Sequence, residues 1–196
     1  LVTVLLAAAL GGGSGYFAWR DYAPAPVPVA EQFPDPLTDP AFLAIVPDRP
    51  PTTDTDLLGT NRPPFELLDI AGAQRSAKEF DGKVVVLNFW GTWCGPCREE
   101  MPMLVDLQRK YGARGLQVVG VALDDRESVE NFAAEFGIDY PLMIGETEVM
   151  ALGKRYGNTT GGIPYTALVD RAGRIQFLKA GRLHLRDIEP VVEQFL

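Results

Sequence analysis

The chain reads as an α/β protein, a mixed central sheet with helices on both faces, preceded by an N-terminal hydrophobic helix and a proline-rich linker. Three observations predict it. Two short runs rich in β-branched residues, Val84–Trp90 and Leu116–Leu123, have the length and composition of strands buried on both faces. Each run is followed by a stretch with apolar residues at helical spacing. A hairpin and a last helix then close the chain, which makes the sheet mixed rather than purely parallel.

Taken in order, the run from Leu1 to Trp19 carries no charged side chain and is mostly Leu, Val, Ala and Gly. As a helix it would extend about 28 Å, close to the hydrocarbon thickness of a bilayer. Tyr16, Phe17 and Trp19 stand at its far end, where amphipathic rings favour the interface. Two fates are open to it: an uncleaved membrane anchor, or a signal segment cut after small residues such as Ala7-Ala8-Ala9. Residues 20–64 hold 11 of the 16 prolines, with seven acidic residues against three arginines. Proline lacks a backbone donor and favours extended geometry, so this is an acidic, semi-rigid tether. The folded domain is expected over residues 65–196.

Within that domain, Val84–Trp90 follows Asp81-Gly82 as a strand. A helix runs from Cys94 to Tyr111 and stops at Gly112. Leu116–Leu123 is a second strand, halted by Asp124-Asp125. Arg126–Phe136 places Val129, Phe132, Ala133 and Phe136 on one helical face before Gly137. A shorter helix spans Glu148 to Tyr156. Tyr165–Val169 and the stretch from Arg174 to Lys179 form a hairpin across Asp170-Arg171-Ala172-Gly173. Leu185 to Leu196 is the closing helix, with Pro190 near its start.

Composition narrows the function. The 196 residues carry 18 Lys and Arg against 26 Asp and Glu, a net charge of −8. A binder of nucleic-acid backbone needs the opposite balance. Two cysteines exclude a disulfide-rich scaffold and a four-thiolate zinc site, and a single histidine excludes a site built on several imidazoles. One redox pair remains.

That pair lies in Trp93-Cys94-Gly95-Pro96-Cys97, between a strand and the helix that follows. Two intervening residues let the sulfurs meet within one helical turn. Cys94 would stand at the helix start, where unpaired N–H groups and the dipole favour a thiolate. Cys97 would lie one turn inward, shielded, able to attack only once Cys94 has engaged a partner. Pro96 suits the first helical turn. Other uses of the pair are weaker. Haem attachment needs His after Cys97, where Arg98 stands. A purely structural bond across so small a loop would constrain little. Use of Cys94 and Cys97 as metal (copper) ligands in a metal-handling module is the alternative, with the one histidine, His184, remote in sequence. A peroxidase normally uses a lone cysteine.

The stretch from Asn88 to Pro102, NFWGTWCGPCREEMP, resembles the active-site segment of the thioredoxin superfamily, and within it the anchored TlpA/ResA-like thiol–disulfide oxidoreductases. Pro102 falls where the family's first long helix is kinked. Gly162-Ile163-Pro164-Tyr165-Thr166 is similar to the loop that carries a cis-proline facing the cysteines, and Asp170-Arg171-Ala172-Gly173-Arg174 to the turn of the closing hairpin. The resemblance implies a thioredoxin-like fold for residues 65–196 and an enzyme exchanging disulfides with client proteins. It also implies a membrane electron donor of the thiol-transporting type and an extracytoplasmic (periplasmic) location. No other cofactor, metal or nucleic-acid partner is expected.

Roles follow residue by residue. Cys94 is the expected nucleophile and Cys97 the resolving thiol. Pro164, if cis, leaves the backbone of Ile163 free to pair with an extended client. Trp93, Gly95 and Pro96 shape the contact surface, while Trp90 belongs to the core. Glu100 lies three residues beyond Cys97 on the same helix face, and a matching glutamate occurs in ResA-like members. Partly buried, it would have a raised pKa and take the proton of Cys97. Glu99 should face water. Asn88 stands where cytosolic thioredoxins have a buried Asp, and Asn cannot titrate. His184 is expected on the surface or as a helix cap. The loop from Tyr156 to Pro164 is two residues longer than in the family members compared, which leaves partner recognition open. The Gly95-Pro96 pair matches strongly reducing thioredoxins, whose potential is about −270 mV.

Overall fold

The structure is a computed structural model and describes residues 54–196. The expected apolar helix at residues 1–19, and the tether up to residue 53, lie outside the described residues. Among the described residues no helix is long and apolar enough to cross a membrane.

Seven strands form one sheet: β1 (Glu66–Asp69), β2 (Gln74–Ser76), β3 (Val84–Trp90), β4 (Leu116–Leu123), β5 (Leu142–Gly145), β6 (Tyr165–Val169) and β7 (Ile175–Ala180). Their order is β2-β1-β5-β4-β3-β6-β7. Strands β3, β4 and β5 are parallel neighbours, and the outer pairings are antiparallel. The helices are α1 (Gly95–Tyr111), α2 (Arg126–Phe136), α3 (Thr147–Arg155) and α4 (Leu185–Phe195).

The mixed sheet predicted from the sequence is therefore present, with three strands added to it. β1 and β5 have four residues each and β2 only three, too few to show a period of their own. β1 is held as a strand by pairing with both β2 and β5. Helix α1 begins at Gly95, with Cys94 as its cap, and Arg174 pairs with Asn61 as an isolated bridge outside β7. Backbone contacts also begin before Phe65: Gly59 N–H donates to the Ile175 carbonyl, Ile175 N–H to Thr60, and Arg62 N–H to Gly173.

Side-chain alternation along the buried strand β3 splits the core in two. Val84, Val86 and Trp90 pack with residues of α1, α2 and α4, including Met101, Leu104, Phe132, Ile188 and Val192. Val85, Leu87 and Phe89 face the other way, onto Val149 and Leu152 of α3 and Tyr156. Asn88 shares parity with Val86 and Trp90, so a polar side chain points at α1. Gly120 of β4 leaves room there for Trp90 and Leu142, since a Cβ would lie 2.5 Å from Leu142 Cδ2 and 3.0 Å from Trp90 Nε1.

Strand direction positions the site. Parallel β3 ends at Trp90 beside Ala122 of β4, and antiparallel β6 begins at Tyr165 beside Phe89. The loop leaving β3 and the loop entering β6 must therefore meet at one edge of the sheet.

Candidate active site: a dithiol pair at a helix start

Cys94 and Cys97 form a disulfide with a Cα–Cα distance of 5.2 Å, so this is the oxidised form. Cys94 caps α1: its Sγ accepts from the backbone N–H of Cys97 at 3.3 Å. The two sulfurs differ in surroundings, with Cys94 6% exposed and Cys97 fully buried. Pro96 sits in the first turn of α1, where its missing donor costs nothing. Gly95 and Pro96 are exposed, and Trp93 is 65% exposed beside them.

The loop ahead of the cysteines is clamped by the end of β4. Asp124 Oδ2 accepts from Thr92 N–H at 2.8 Å and from Thr92 Oγ1 at 2.6 Å. Trp93 Nε1 donates to the Leu123 carbonyl at 3.2 Å. Gly91 permits this approach, because a Cβ there would lie 2.9 Å from Trp93 Nε1. The guanidinium of Arg98 lies over the ring of Phe132 at 5.0 Å.

From the other side comes the Ile163–Pro164 peptide, which is cis. The Ile163 carbonyl oxygen lies 3.7 Å from Cys94 Sγ, and Pro164 is buried. The loop before it is organised by Asn158, itself only 6% exposed, whose Nδ2 donates to the Gly162 carbonyl at 2.8 Å. Tyr165 Oη reaches back to the Tyr156 carbonyl at 2.9 Å.

Three residues beyond Cys97 on α1 stands a buried carboxylate. Glu100 is 1% exposed, and its Oε1 accepts from Asn88 Nδ2 at 2.7 Å. Its Oε2 accepts from the backbone N–H of Leu183 at 2.6 Å. Asn88 also donates to Thr166 Oγ1 at 3.1 Å, while its Oδ1 has no partner. Burial pushes the Glu100 carboxyl above its ordinary value. The Leu183 and Asn88 hydrogen bonds, and the charges of Arg182 and Lys179, oppose that rise without cancelling it. Glu99 is exposed and paired with Arg182. His184 caps α4, its backbone N–H donating to Asp187 at 3.2 Å.

Every sequence-predicted site residue thus falls at this one edge or directly under it. Sequence reasoning missed Asp124, Asn158, Thr166 and the Leu183 amide. Asp124 carried a signal, an acidic residue directly after a buried strand, but it reads equally as a strand stop. Among the described residues no group of three or more His, Cys, Asp or Glu side chains is placed to hold a metal ion.

A cysteine pair at a helix start, one residue slightly exposed and one sealed, facing a cis-proline across a mixed sheet, is the working part of a thiol–disulfide oxidoreductase of thioredoxin-like fold. Comparison with known proteins agrees. The Redoxin family matches residues 57–195. The thiol-disulfide oxidoreductase ResA of Geobacillus thermodenitrificans is 34% identical over 137 residues, covering 69% of this chain and 76% of that protein. Among solved structures, a thiol:disulfide interchange protein of the thioredoxin family from Chlorobium tepidum superposes with a TM-score of 0.63 at 30% identity, over 70% of this chain and 96% of that one. A secreted thiol-disulfide isomerase from Corynebacterium glutamicum gives a TM-score of 0.63 at 26% identity, over 68% and 83%. The chain belongs to the Redoxin family, as a ResA/TlpA-like member of the thioredoxin superfamily. It is an enzyme that exchanges thiols and disulfides with client proteins.

Proposed function

We propose that this protein is an extracytoplasmic reductase of client disulfides, held at a membrane by residues 1–19 or released after their cleavage. Cytochrome c maturation, copper-site assembly and general thiol maintenance are the roles that such a reductase serves. In its reduced form the Cys94 thiolate attacks a client disulfide, forming a mixed disulfide and releasing one client sulfur as thiolate. Cys97 then gives its proton to Glu100 and attacks Cys94 Sγ. The second client sulfur leaves, and the protein is left with the Cys94–Cys97 bond. Two electrons have passed to the client, so a dithiol donor must restore the pair, and a thiol-transporting membrane protein fits that need.

The observation that carries this reading is the asymmetry of the pair. Cys94 alone has surface exposure and sits at the positive end of α1, where a thiolate is favoured. Cys97 is sealed, three residues before a buried carboxylate held by two donors. The Gly95-Pro96 pair supports the reducing direction, and the secreted character named for the Corynebacterium relative supports the location. For the client, the exposed Trp93 and the Ile163 carbonyl beside Cys94 offer an apolar contact and a backbone acceptor for an extended segment.

A redox titration against glutathione, joined to trapping by a Cys97→Ser variant, tests the proposal. The expected potential is near the thioredoxin value of about −270 mV, and the variant should accumulate mixed disulfides that dithiothreitol releases. A potential near −120 mV, the range of strong oxidants, would reverse the direction, by about 7 kcal/mol for a two-electron couple. Capture of no client would remove the catalytic roles of the pair.

A further inference from the structure

Residues 181–183, between β7 and α4, make two backbone bonds that reach opposite parts of the site. Gly181 N–H donates to the carbonyl of Pro164 at 2.9 Å. Leu183 N–H donates to Glu100 Oε2 at 2.6 Å, across 83 residues of sequence. Gly181 has a φ of +80°, a backbone conformation that favours glycine, and Leu183 is 1% exposed. One short segment therefore joins the buried carboxylate to the cis-proline peptide.

We propose that residues 181–183 are a positioning element: the Leu183 N–H sets the proton affinity of Glu100, and the Gly181 N–H transmits the charge state of that carboxylate to the peptide that receives the client. The inference rests on the reading of Glu100 as proton acceptor for Cys97. An N–H bonds an ionised carboxylate more strongly than a neutral one. While Glu100 is charged, Leu183 is drawn inward and Gly181 is held against Pro164. When Glu100 takes the proton of Cys97, the Leu183 bond weakens and the Pro164 peptide is less firmly fixed. A less preorganised docking peptide holds its client less tightly, so release follows proton transfer. By linkage, a seated client lowers the proton affinity of Glu100 by the same factor.

The other groups around Glu100 are placed differently. Cys97 lies one turn back on α1, and Glu99 on the same helix is exposed and paired with Arg182. Lys179 of β7 is tied to Asp187 of α4 at 3.2 Å. Tyr140, before β5, feels the charge of Glu100 and donates to Met101 Sδ at 3.3 Å. Asn88 of β3 and Thr166 of β6 are neutral. The Leu183 bond belongs to the segment whose Gly181 N–H holds the Pro164 carbonyl, while the Asn88–Thr166 bond reaches β6 two residues beyond Pro164 and makes no bond to that carbonyl.

The test uses the full chain with 13C-labelled glutamate, the Glu100 carboxyl signal being assigned by its loss in Glu100→Gln. Replacing Leu183 by its α-hydroxy acid through nonsense suppression exchanges the N–H for an ester oxygen and keeps the side chain. The Glu100 midpoint should rise by about one pH unit, a tenfold gain in proton affinity. In the unaltered protein the Gly181 amide signal should titrate with the same midpoint as Glu100. An unmoved midpoint in the ester protein overturns the inference. So does a Gly181 signal indifferent to the Glu100 titration, a measurement that needs no variant to fold. Failure of the proton-acceptor reading looks different: Glu100→Gln would then leave the rate at which Cys97 resolves a Cys94 mixed disulfide, and its pH profile, unchanged.

Discussion

Glu100 stands between two donors, Asn88 Nδ2 and the Leu183 N–H, and a carboxylate with two acceptor oxygens matches both. A glutamine does not, since its amide nitrogen must face one of them unless Asn88 turns its unpartnered Oδ1 inward. Glu100→Gln is therefore accommodated by an Asn88 flip, and its main effect falls on chemistry. Loss of the proton acceptor should slow resolution of a Cys94 mixed disulfide by roughly 10²-fold, measured by stopped-flow fluorescence. The same substitution changes how stability depends on pH. The folded-state pKa of Glu100 is raised by burial, so its contribution is complete below the ordinary glutamate range and declines as pH rises through the folded value. In urea melts of the oxidised protein, wild type should gain on Glu100→Gln at pH 4 and lose that advantage by pH 8; a gap independent of pH would contradict the assignment. Much of this was legible from the chain itself, because Cys94, Cys97 and Glu100 lie within seven residues of one helix. The Leu183 amide was not, since every residue but proline carries a backbone N–H and this one arrives from 83 positions away.

The elements differ in how plainly they announce themselves. β3 and β4, with seven and eight residues and mostly buried side chains, need apolar composition along their whole length, and that composition is visible. β1, β2 and β5 are strands because neighbours pair with them, a cause that is absent from any local window. The Asp124-Asp125 step shows the same division within two residues. As a stop to β4 it is readable, but the two side chains do separate work. Asp125 caps α2 through the Ser128 N–H at 2.9 Å, whereas Asp124 turns back to hold Thr92. That clamp joins the end of β4 to the loop that presents Trp93 and Cys94. Asp124→Ala removes three hydrogen bonds to a charged acceptor, two from Thr92 and one from the exposed Asp125 N–H, and leaves the half-buried Thr92 N–H without that partner, which should cost about 2 kcal/mol in urea melts. Client reduction should slow with it, while Asp124→Asn, keeping one carbonyl oxygen for the Thr92 N–H, should recover most of both. Equal stability of the Ala variant and wild type would show that the clamp carries no weight.

At the scale of the whole molecule, composition places the boundary between the expected tether and the domain at Phe65. Proline density dominates any reading of residues 20–64, and it hides the last few residues of the segment, which bond to the sheet. Gly59, Thr60 and Arg62 exchange three backbone hydrogen bonds with Ile175 and Gly173, and the Arg62 guanidinium pairs with Asp81. Leu57 packs on the core face that holds Phe80 and Ile175. These contacts cover the outer edge of β7 at its start, where an unpaired edge would otherwise stand open to another chain. Two shortened proteins separate the domain from its tether. One beginning at Asp54 keeps every one of these contacts and should match the full chain in melting midpoint and in insulin reduction. One beginning at Phe65 loses the three hydrogen bonds at about 1 kcal/mol each, together with the Leu57 contact. It should melt at lower urea by about 3 kcal/mol or more and associate through the exposed β7 edge, seen as a concentration-dependent mass in light scattering. Its Cys94–Cys97 potential should stay within about 15 mV of the longer protein, because β7 starts at the end of β6 far from Pro164; a larger shift would mean that the strap reaches the redox pair.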